Sequence, residues 1–313
     1  MPPNNLDNAA WVCDAMHAGA QANRTAACRQ GSIDVVEAPG HLIATGDLHD
    51  NPAHFARLVE AARLGPTARL ATTGPAHLTL HEIIHAEPGG DGGGDGGGDG
   101  GGESSHAGLD TSYRALARVA ALKAQHPEHV HTLLANHELA QAFGSDITKR
   151  GVAVVREFDH ALDAVFGADA ERVRDAIEVF VRSMPLALRC RCPQGDILCA
   201  HSLPGPAMMG RFDTTILGRE LREADYEPRV GSAFMMVWGR GHDAELLEDL
   251  TEAWGVNLFI LGHEHAARGF ELIEPNALVL SSDHHRGVYL PVDLDHKPRL
   301  GECPERLVRL TEG

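Results

Sequence analysis

Five short polar segments of the chain carry side chains of the types that can bind divalent metals. They contain aspartate, glutamate, asparagine and histidine directly after apolar stretches, and they read GDLHDN (46–51), HLTLHE (77–82), LLANHE (133–138), CAHSLPGP (199–206) and LGHEH (261–265). Carboxylate and amide oxygens together with imidazole nitrogens suit manganese, iron or zinc, and no thiolate is needed. Such residues can assemble a metal centre that activates water and clamps a phosphoryl oxygen.

The second segment continues as HEIIH (81–85), which is the spacing of a zinc protease. That chemistry needs both histidines on one face of a helix, where four residues advance only about 6 Å. On a strand the same spacing spans roughly 13 Å. Pro88 and the eleven glycines of 89–102 would end a helix almost at once. A protease built on His81, Glu82 and His85 remains an alternative, but it leaves the other four segments unexplained.

The elements around these segments predict how they are positioned. Each segment follows a predicted apolar strand, and most of these strands alternate with amphipathic helices such as the one predicted after Asn51, with Pro52 in its first turn. Reactive groups gather at the carboxyl ends of strands in such folds, because the strand fixes the position while the turn exposes the side chain. We therefore expect the polar segments to converge on one place.

The composition limits the partners. The chain has 313 residues, 27 basic against 44 acidic side chains and a formal net charge of -17. This balance argues against nucleic acid or an anionic membrane, both of which need a clustered basic face. A phosphorylated substrate remains compatible, because bound metal ions create their own positive field. No apolar run of 18 residues and no signal-like start occurs, so the expected location is the cytoplasm. No pattern indicates an oligomeric state.

The domain organisation is predicted as a short N-terminal extension followed by one large domain. Residues 1–40 are expected to form one or two short helices and a strand, and residues 41–313 the functional domain. The glycine-rich repeat at 88–105 cannot bury apolar surface and is predicted to be a disordered loop.

The order of the segments resembles the calcineurin-like metallophosphoesterases. The closest resemblance is to their phosphoprotein phosphatase branch, whose signatures read GDxHG, GDxVDRG, GNHE, HGG and a late Ala-His. The similarity extends to ALKAQHPEHVHTLLANHE (121–138) and SMPLALR (183–189), and it covers roughly residues 43–294. A single motif would be weak evidence for this resemblance, but the occurrence of all the motifs in the same order makes the resemblance specific. The resemblance implies an α/β fold, a four-layer α/β/β/α sandwich.

The resemblance also implies roles for individual residues. Two metal ions (manganese, iron or zinc) would be held by Asp47 and His49 on the first ion, by Glu82 between the ions, and by Asn136, His201 and His263 on the second. His137 would be the general acid, Arg240 would hold the phosphate, and His265 would be an additional metal or substrate contact. His284 and His285 fall where that branch lines its substrate cleft. The implied reaction is hydrolysis of a phosphomonoester, on a protein or a nucleotide, by a hydroxide that bridges the metals.

The second motif departs most from the branch. HEIIHAE (81–87) replaces GDxVDRG, so that Glu82 stands for the bridging aspartate, His85 for the second aspartate and Ala86 for the arginine. The second aspartate normally orients the catalytic histidine, and His85 is a candidate to do so by hydrogen bonding. The departures leave open a catalytically impaired homologue that binds metal or phosphate without turnover. Retention of the acid His137 favours an enzyme.

Overall fold

A computed structural model of the protein describes residues 5–65, 76–85, 108–145 and 147–311. The predicted glycine-rich loop and Ala86 lie outside these residues. The described helices are α1 (Ala9–Thr25), α2 (Pro52–Ala61), α3 (Tyr113–Gln125), α4 (Asn136–Phe143), α5 (Val154–Phe166), α6 (Ala170–Val181), α7 (Ser232–Trp238), α8 (Ala244–Trp254) and α9 (Cys303–Arg306). The described strands are β1 (Arg29–Gln30), β2 (Ile33–Glu37), β3 (His41–Thr45), β4 (His77–Leu80), β5 (Val130–Thr132), β6 (Thr148–Lys149), β7 (Val152–Ala153), β8 (Ala187–Arg191), β9 (Asp196–Ala200), β10 (Val256–Leu261), β11 (Phe270–Ile273), β12 (Ala277–Leu280), β13 (Val288–Asp293) and β14 (Val308–Arg309).

Two mixed sheets organise the chain. One has the strand order β1-β2-β8-β9-β10-β12-β11, and the other has the order β14-β13-β3-β4-β5. Strands β3, β4 and β5 run parallel, as do β9, β10 and β12. Parallel strands bring their carboxyl ends to the same edge. A parallel bridge between Asp47 and Ser281 joins the ends of β3 and β12, so the carboxyl edges of the two sheets meet.

Alternate residues of the strands enter two different apolar clusters. One cluster takes Leu42 and Ala44 from β3 together with Leu258 and Ile260 from β10, so it contains side chains of both sheets. The other cluster takes Ile43, Phe259 and Leu261 from the same two strands and combines them with residues of most helices. This alternation is the consequence of the two-residue period of a strand. The fold is thus a mixed α/β structure with apolar surface on both faces of its sheets.

The predicted helix after Asn51 is confirmed, and its first residues follow the expected capping chemistry. The Asn51 side chain accepts a hydrogen bond from the His54 backbone amide, with Pro52 at the start of α2. The segment after β5 differs from the prediction of a turn, because Asn136 and His137 begin helix α4. Gly144 ends that helix with φ of 64°. Two of the candidate site residues are therefore held by a helix N-terminus.

The N-terminal segment forms one helix where one or two short ones were expected. Helix α1 spans 17 residues and packs against α3 and α6. Strand β2 pairs with β8 in the seven-stranded sheet. The segment is thereby packed into the same core and sheet as the rest of the chain. None of the helices in the described residues has the length and apolarity needed to cross a bilayer.

A buried polar cluster lies away from the polar strand ends, around Asp34 of β2. His131 donates from Nδ1 to Asp34 Oδ2 at 2.7 Å, and its Nε2 lies 3.1 Å from His77 Nδ1. Lys123 Nζ lies 3.9 Å from the same Asp34 oxygen. Cys28, Asp34 and His131 are close enough to hold a metal, but Lys123 and Arg29, whose Nε lies 3.3 Å from Asp34 Oδ1, already pair with this carboxylate. The His131 side chain is fully buried against Asp34.

This cluster predicts acid sensitivity of the fold. Burial, together with His131 and His129, lowers the pKa of His77 to about 3, so the ring is neutral in the folded protein at pH 5. The unfolded histidine takes up a proton below about pH 6.5, so stability falls as the pH drops from 6.5 towards 3, by about 2 kcal/mol at pH 5. The free energy of unfolding should be measured with urea at pH 7.5 and at pH 5.0. Its decrease between the two pH values should be smaller in His77→Gln than in the wild type, by about 2 kcal/mol. The exposed His17→Gln should behave like the wild type, and an equal drop in all three proteins would contradict the assignment.

Candidate metal centre

Four of the predicted ligands form one tight group at the meeting edge of the sheets. His201 Nε2 lies 2.7 Å from Asn136 Oδ1, 3.0 Å from His263 Nδ1 and 2.8 Å from Glu82 Oε2. Asn136 Oδ1 and His263 Nδ1 are 3.0 Å apart. These atoms come from the segments after β4, β5, β9 and β10. The predicted convergence of these segments is therefore observed.

Glu82 connects this group to a second one. Its Oε1 lies 3.1 Å from His49 Nε2, while its Oε2 faces His201. Asp47 Oδ1 lies 3.4 Å from His201 Nδ1, and both Asp47 oxygens accept from the backbone amide of His263 at 2.9 Å. One carboxylate thus stands between two groups of nitrogen and oxygen ligands. This is the place in which the sequence resemblance puts a bridging carboxylate.

His81 also enters the centre, although the resemblance to the phosphoesterases implies no role for it. Its Nε2 donates to the Thr45 carbonyl at 2.9 Å, so the lone pair of Nδ1 faces His201 Nδ1 at 3.2 Å and Asp47 Oδ1 at 3.4 Å. The HEIIH segment is not helical. His85 faces different partners, so the helical geometry that a zinc protease needs from His81 and His85 is not present. The signal for His81 was its place directly before Glu82.

Several observations indicate that the residues of this centre could hold metal ions. Three groups combine ligand atoms within 4.8 Å of one another: Asp47, His81 and His201; His49, Glu82 and His137; and Glu82, His201 and His263. Within the part of the chain that the structure describes, neither the buried His263 Nε2 nor the buried Glu82 Oε2 makes a hydrogen bond, although Oε2 lies 2.8 Å from His201 Nε2. Buried polar atoms normally have partners. A Cβ on Gly262 would stand 2.2 Å from Asp47 Oδ1, so a glycine is required at this approach.

The electrostatics of the centre attract cations. Burial alone would lower the pKa of His201, but the charge of Glu82 and the hydrogen bond to Asp47 raise it to about 10. Burial likewise lowers the pKa of His49, but the charge of Glu82 outweighs it and raises this pKa to about 9. Two buried carboxylates thus draw protons onto neighbouring imidazoles. The same field favours divalent metal ions, which would displace those protons.

His137 and His85 are in direct contact beside Glu82. Their Nδ1 atoms are 2.9 Å apart, and His137 Nε2 lies 3.5 Å from Glu82 Oε1. Burial lowers the pKa of His85 and of His137. His85 therefore occupies a position from which it can orient His137, as the sequence suggested.

The turn that carries Glu82 and His85 is fixed by the residue after His137. Glu138 is fully buried, and its Oε1 accepts from the backbone amides of Ile83 at 2.6 Å and Ile84 at 3.1 Å. Glu82 has φ of 45° and His85 has φ of 62°. Left-handed backbone is costly for residues other than glycine and persists where the surroundings enforce it. His49 and His263 share this conformation, with φ of 42° and 67°.

Two cations lie near the centre. Lys149, in β6 of the β6–β7 hairpin, places Nζ 3.1 Å from His49 Nε2. No motif marked this lysine, since its hairpin lies outside the five polar segments. Arg240 is exposed after α7, and its charge contributes, after burial and His201, to lowering the pKa of His263 to about 3. Both side chains can therefore influence an anion at the centre.

His265 is not brought into the ligand groups. Its side chain is exposed, and its ring lies 5.2 Å from that of His284, which in turn neighbours His285 at 5.7 Å. The three histidines form a surface cluster.

The fold is similar to the folds of solved protein phosphatases. A protein serine/threonine phosphatase from Saccharomyces cerevisiae, described as similar to human phosphatase PP5, gives a TM-score of 0.63 at 13% identity, over 91% of this chain and 83% of that chain. A cold-active protein-tyrosine phosphatase of a psychrophilic Shewanella species gives 0.57 at 14% identity, over 90% of this chain and 83% of that chain. Neither protein-family profiles nor curated proteins match the sequence. At these identities the likeness defines a phosphatase-like fold.

Proposed function

We propose that this protein is a metal-dependent phosphoesterase that hydrolyses a phosphomonoester at a centre for two transition metal ions. The observation that carries the proposal is the contact of Glu82 with both His49 and His201, each within 3.1 Å, in the middle of a buried ligand set. The phosphatase-like fold supports it. The two apolar clusters also support a four-layer α/β/β/α arrangement, with one cluster between the sheets.

The residues would divide between two metal positions. Asp47 and His49 belong to the first position, with His81 as a further candidate, and Glu82 is shared. The second position is formed by Asn136, His201 and His263. When bound, manganese, iron or zinc ions would supply Lewis acidity and a nucleophile derived from water at neutral pH.

The remaining side chains would bind the substrate and move a proton. His137 is within reach of Glu82 and therefore of a phosphoryl group at the centre, and we assign to its Nε2 the proton that the leaving alkoxide takes up. His85 would hold the His137 ring by its Nδ1. Lys149 and Arg240 would neutralise the phosphate, which compensates for the branch arginine that is Ala86 here.

The direct test is a screen of the metal-reconstituted protein. Phosphoserine, phosphothreonine and phosphotyrosine peptides, nucleotides and an aryl phosphate should be compared after loading with manganese, iron or zinc. We expect hydrolysis of at least one class and about two metal ions per chain by elemental analysis. Bound metals without turnover of any ester would identify an impaired homologue. Absence of both metal and turnover would refute the proposal.

Lys149 gives a prediction on substrate affinity. Replacing it by methionine keeps the length of the side chain but removes a charge near His49, so KM should rise about tenfold, equivalent to about 1.4 kcal/mol of binding. We expect kcat to change little, because a phosphate contact acts in ground and transition state alike. Steady-state kinetics on the best ester would measure both. The matched control is Lys297→Met in the segment after β13, and an unchanged KM in Lys149→Met would rule out the contact.

A further inference from the structure

A chain of hydrogen bonds extends from the candidate general acid to the surface of the protein. His85 Nδ1 faces His137 Nδ1 at 2.9 Å, and His85 Nε2 lies 3.0 Å from Gln141 Oε1. Gln141 Nε2 donates to Asp159 Oδ1 at 3.0 Å. Arg174 holds Asp159 by a bond to the same oxygen at 3.3 Å and a second to its backbone carbonyl at 3.2 Å. Gln141 and Asp159 belong to none of the polar segments.

The packing of three helices produces this chain. His137 and Gln141 are four residues apart on α4, so they share one face, and His85 contacts both. Asp159 comes from α5 and Arg174 from α6, which pack against each other. Phe158 meets the His85 ring edge to face at 5.5 Å, and Ser112 Oγ accepts from the His85 backbone amide at 2.9 Å. His85 is thereby held in one orientation.

The outermost carboxylate fixes the direction of every bond in the chain. Asp159 is partly exposed beside a cavity of about 170 Å³ and forms an ion pair with Arg174, and a carboxylate in such a pair only accepts hydrogen bonds. The Gln141 amide must then turn its NH₂ towards Asp159 and its carbonyl towards His85. A carbonyl also only accepts, so His85 Nε2 must carry the proton. In the neutral ring, which burial favours by lowering the pKa of His85, Nδ1 is then left as an acceptor facing His137.

We propose that Gln141 and Asp159 are positioning residues that impose one tautomer on His85, so that His137 donates from Nδ1 to His85 and presents Nε2 to the substrate. The catalytic consequence rests on the proposed function, whereas the tautomer does not. The phosphoesterase branch that this chain resembles has an aspartate at the place of His85. Such an aspartate can only accept a hydrogen bond from the catalytic histidine, so it needs no partner to fix its protonation. A histidine can donate or accept at either nitrogen, so it needs a partner that selects the acceptor side.

The experiment reads the tautomer directly. The zinc-loaded protein, labelled with ¹⁵N-histidine, is compared with His85→Gln to identify the His85 resonances. We expect a protonated Nε2 and an unprotonated, hydrogen-bonded Nδ1. In Gln141→Met, which keeps the side-chain shape, this pattern should be lost. A wild-type His85 protonated at Nδ1, or an unchanged pattern in Gln141→Met, would overturn the proposal even if the protein hydrolyses no phosphate ester.

Kinetics supply the second readout. On an active ester we expect Gln141→Met to lower kcat about tenfold with KM unchanged, as for loss of an outer hydrogen-bond partner. Asp159→Ala should lower kcat, while Asp163→Ala, which removes another partner of Arg174 but none of Gln141, should not. An equal loss in both aspartate variants would mean a structural role and would overturn the assignment.

Discussion

Replacing Asp47 by asparagine is expected to lower kcat/KM for an aryl phosphate by more than about a hundredfold, beyond the loss typical of an outer-shell residue. Asp47 is 7% exposed, and both its oxygens hold the His263 amide while one faces His201. Asparagine keeps the shape but removes the charge that a metal ion needs, and its NH₂ opposes the donating amide. Elemental analysis should show less metal per chain than in the wild type.

The control for this variant is Asp249→Asn on the exposed face of α8, which should keep full activity and metal content. Circular dichroism of both variants should match the wild type. If Asp47→Asn retains full activity and all its metal, Asp47 is no ligand and the centre has been assigned wrongly. A loss of activity with unchanged metal content would limit Asp47 to holding the His263 turn.

Replacing His137 by glutamine is expected to lower kcat by about 10² to 10⁴ for an alkyl phosphate, which is the usual range for a general acid. The loss should be much smaller for p-nitrophenyl phosphate, because that leaving group departs without a proton. The ratio of the two kcat values therefore separates proton donation from general damage to the site. His137 makes this prediction specific because its Nε2 is the ring nitrogen on the side of Glu82.

His137 also lies close enough to His49 and Glu82 to act as a metal ligand. Metal content distinguishes the roles, since an acid can be lost without losing metal. The exposed His160→Gln on α5 is the matched control. Equal losses for both esters together with lost metal would make His137 a ligand and not the acid.

The strands that carry the candidate ligands could be predicted from the sequence. Strands β3 and β10 are short apolar runs that end at Gly-Asp or Gly-His, and the parallel arrangement of such strands brings their ends together. Motif order alone predicted that Glu82 lies among the other candidate ligands, and the structure places it between His49 and His201. Local pattern and motif order thus predicted the positions of Asp47, Asn136 and His201, because each lies immediately after a strand or at a helix N-terminus.

The parts that the sequence did not predict depend on tertiary packing. Gln141 and Asp159 approach His85 only because α4, α5 and α6 pack together, and no local pattern encodes that contact. Lys149 reaches His49 from a hairpin 100 residues further along the chain. The Glu138 carboxylate holds the turn after Glu82 through the Ile83 and Ile84 amides, and no local pattern encodes that contact.

The left-handed backbone at His49, Glu82, His85 and His263 has a consequence for the evolution of this protein. Each such residue costs about 1 to 2 kcal/mol relative to a glycine that adopts the same conformation freely. Selection for thermal tolerance alone would therefore favour glycine at these positions, and each such replacement would remove a proposed metal ligand or the partner of His137. At these four positions a substitution that raises the stability of the fold would remove part of the proposed metal centre. A lineage that no longer needed this centre would therefore lose it while the free energy of unfolding increased.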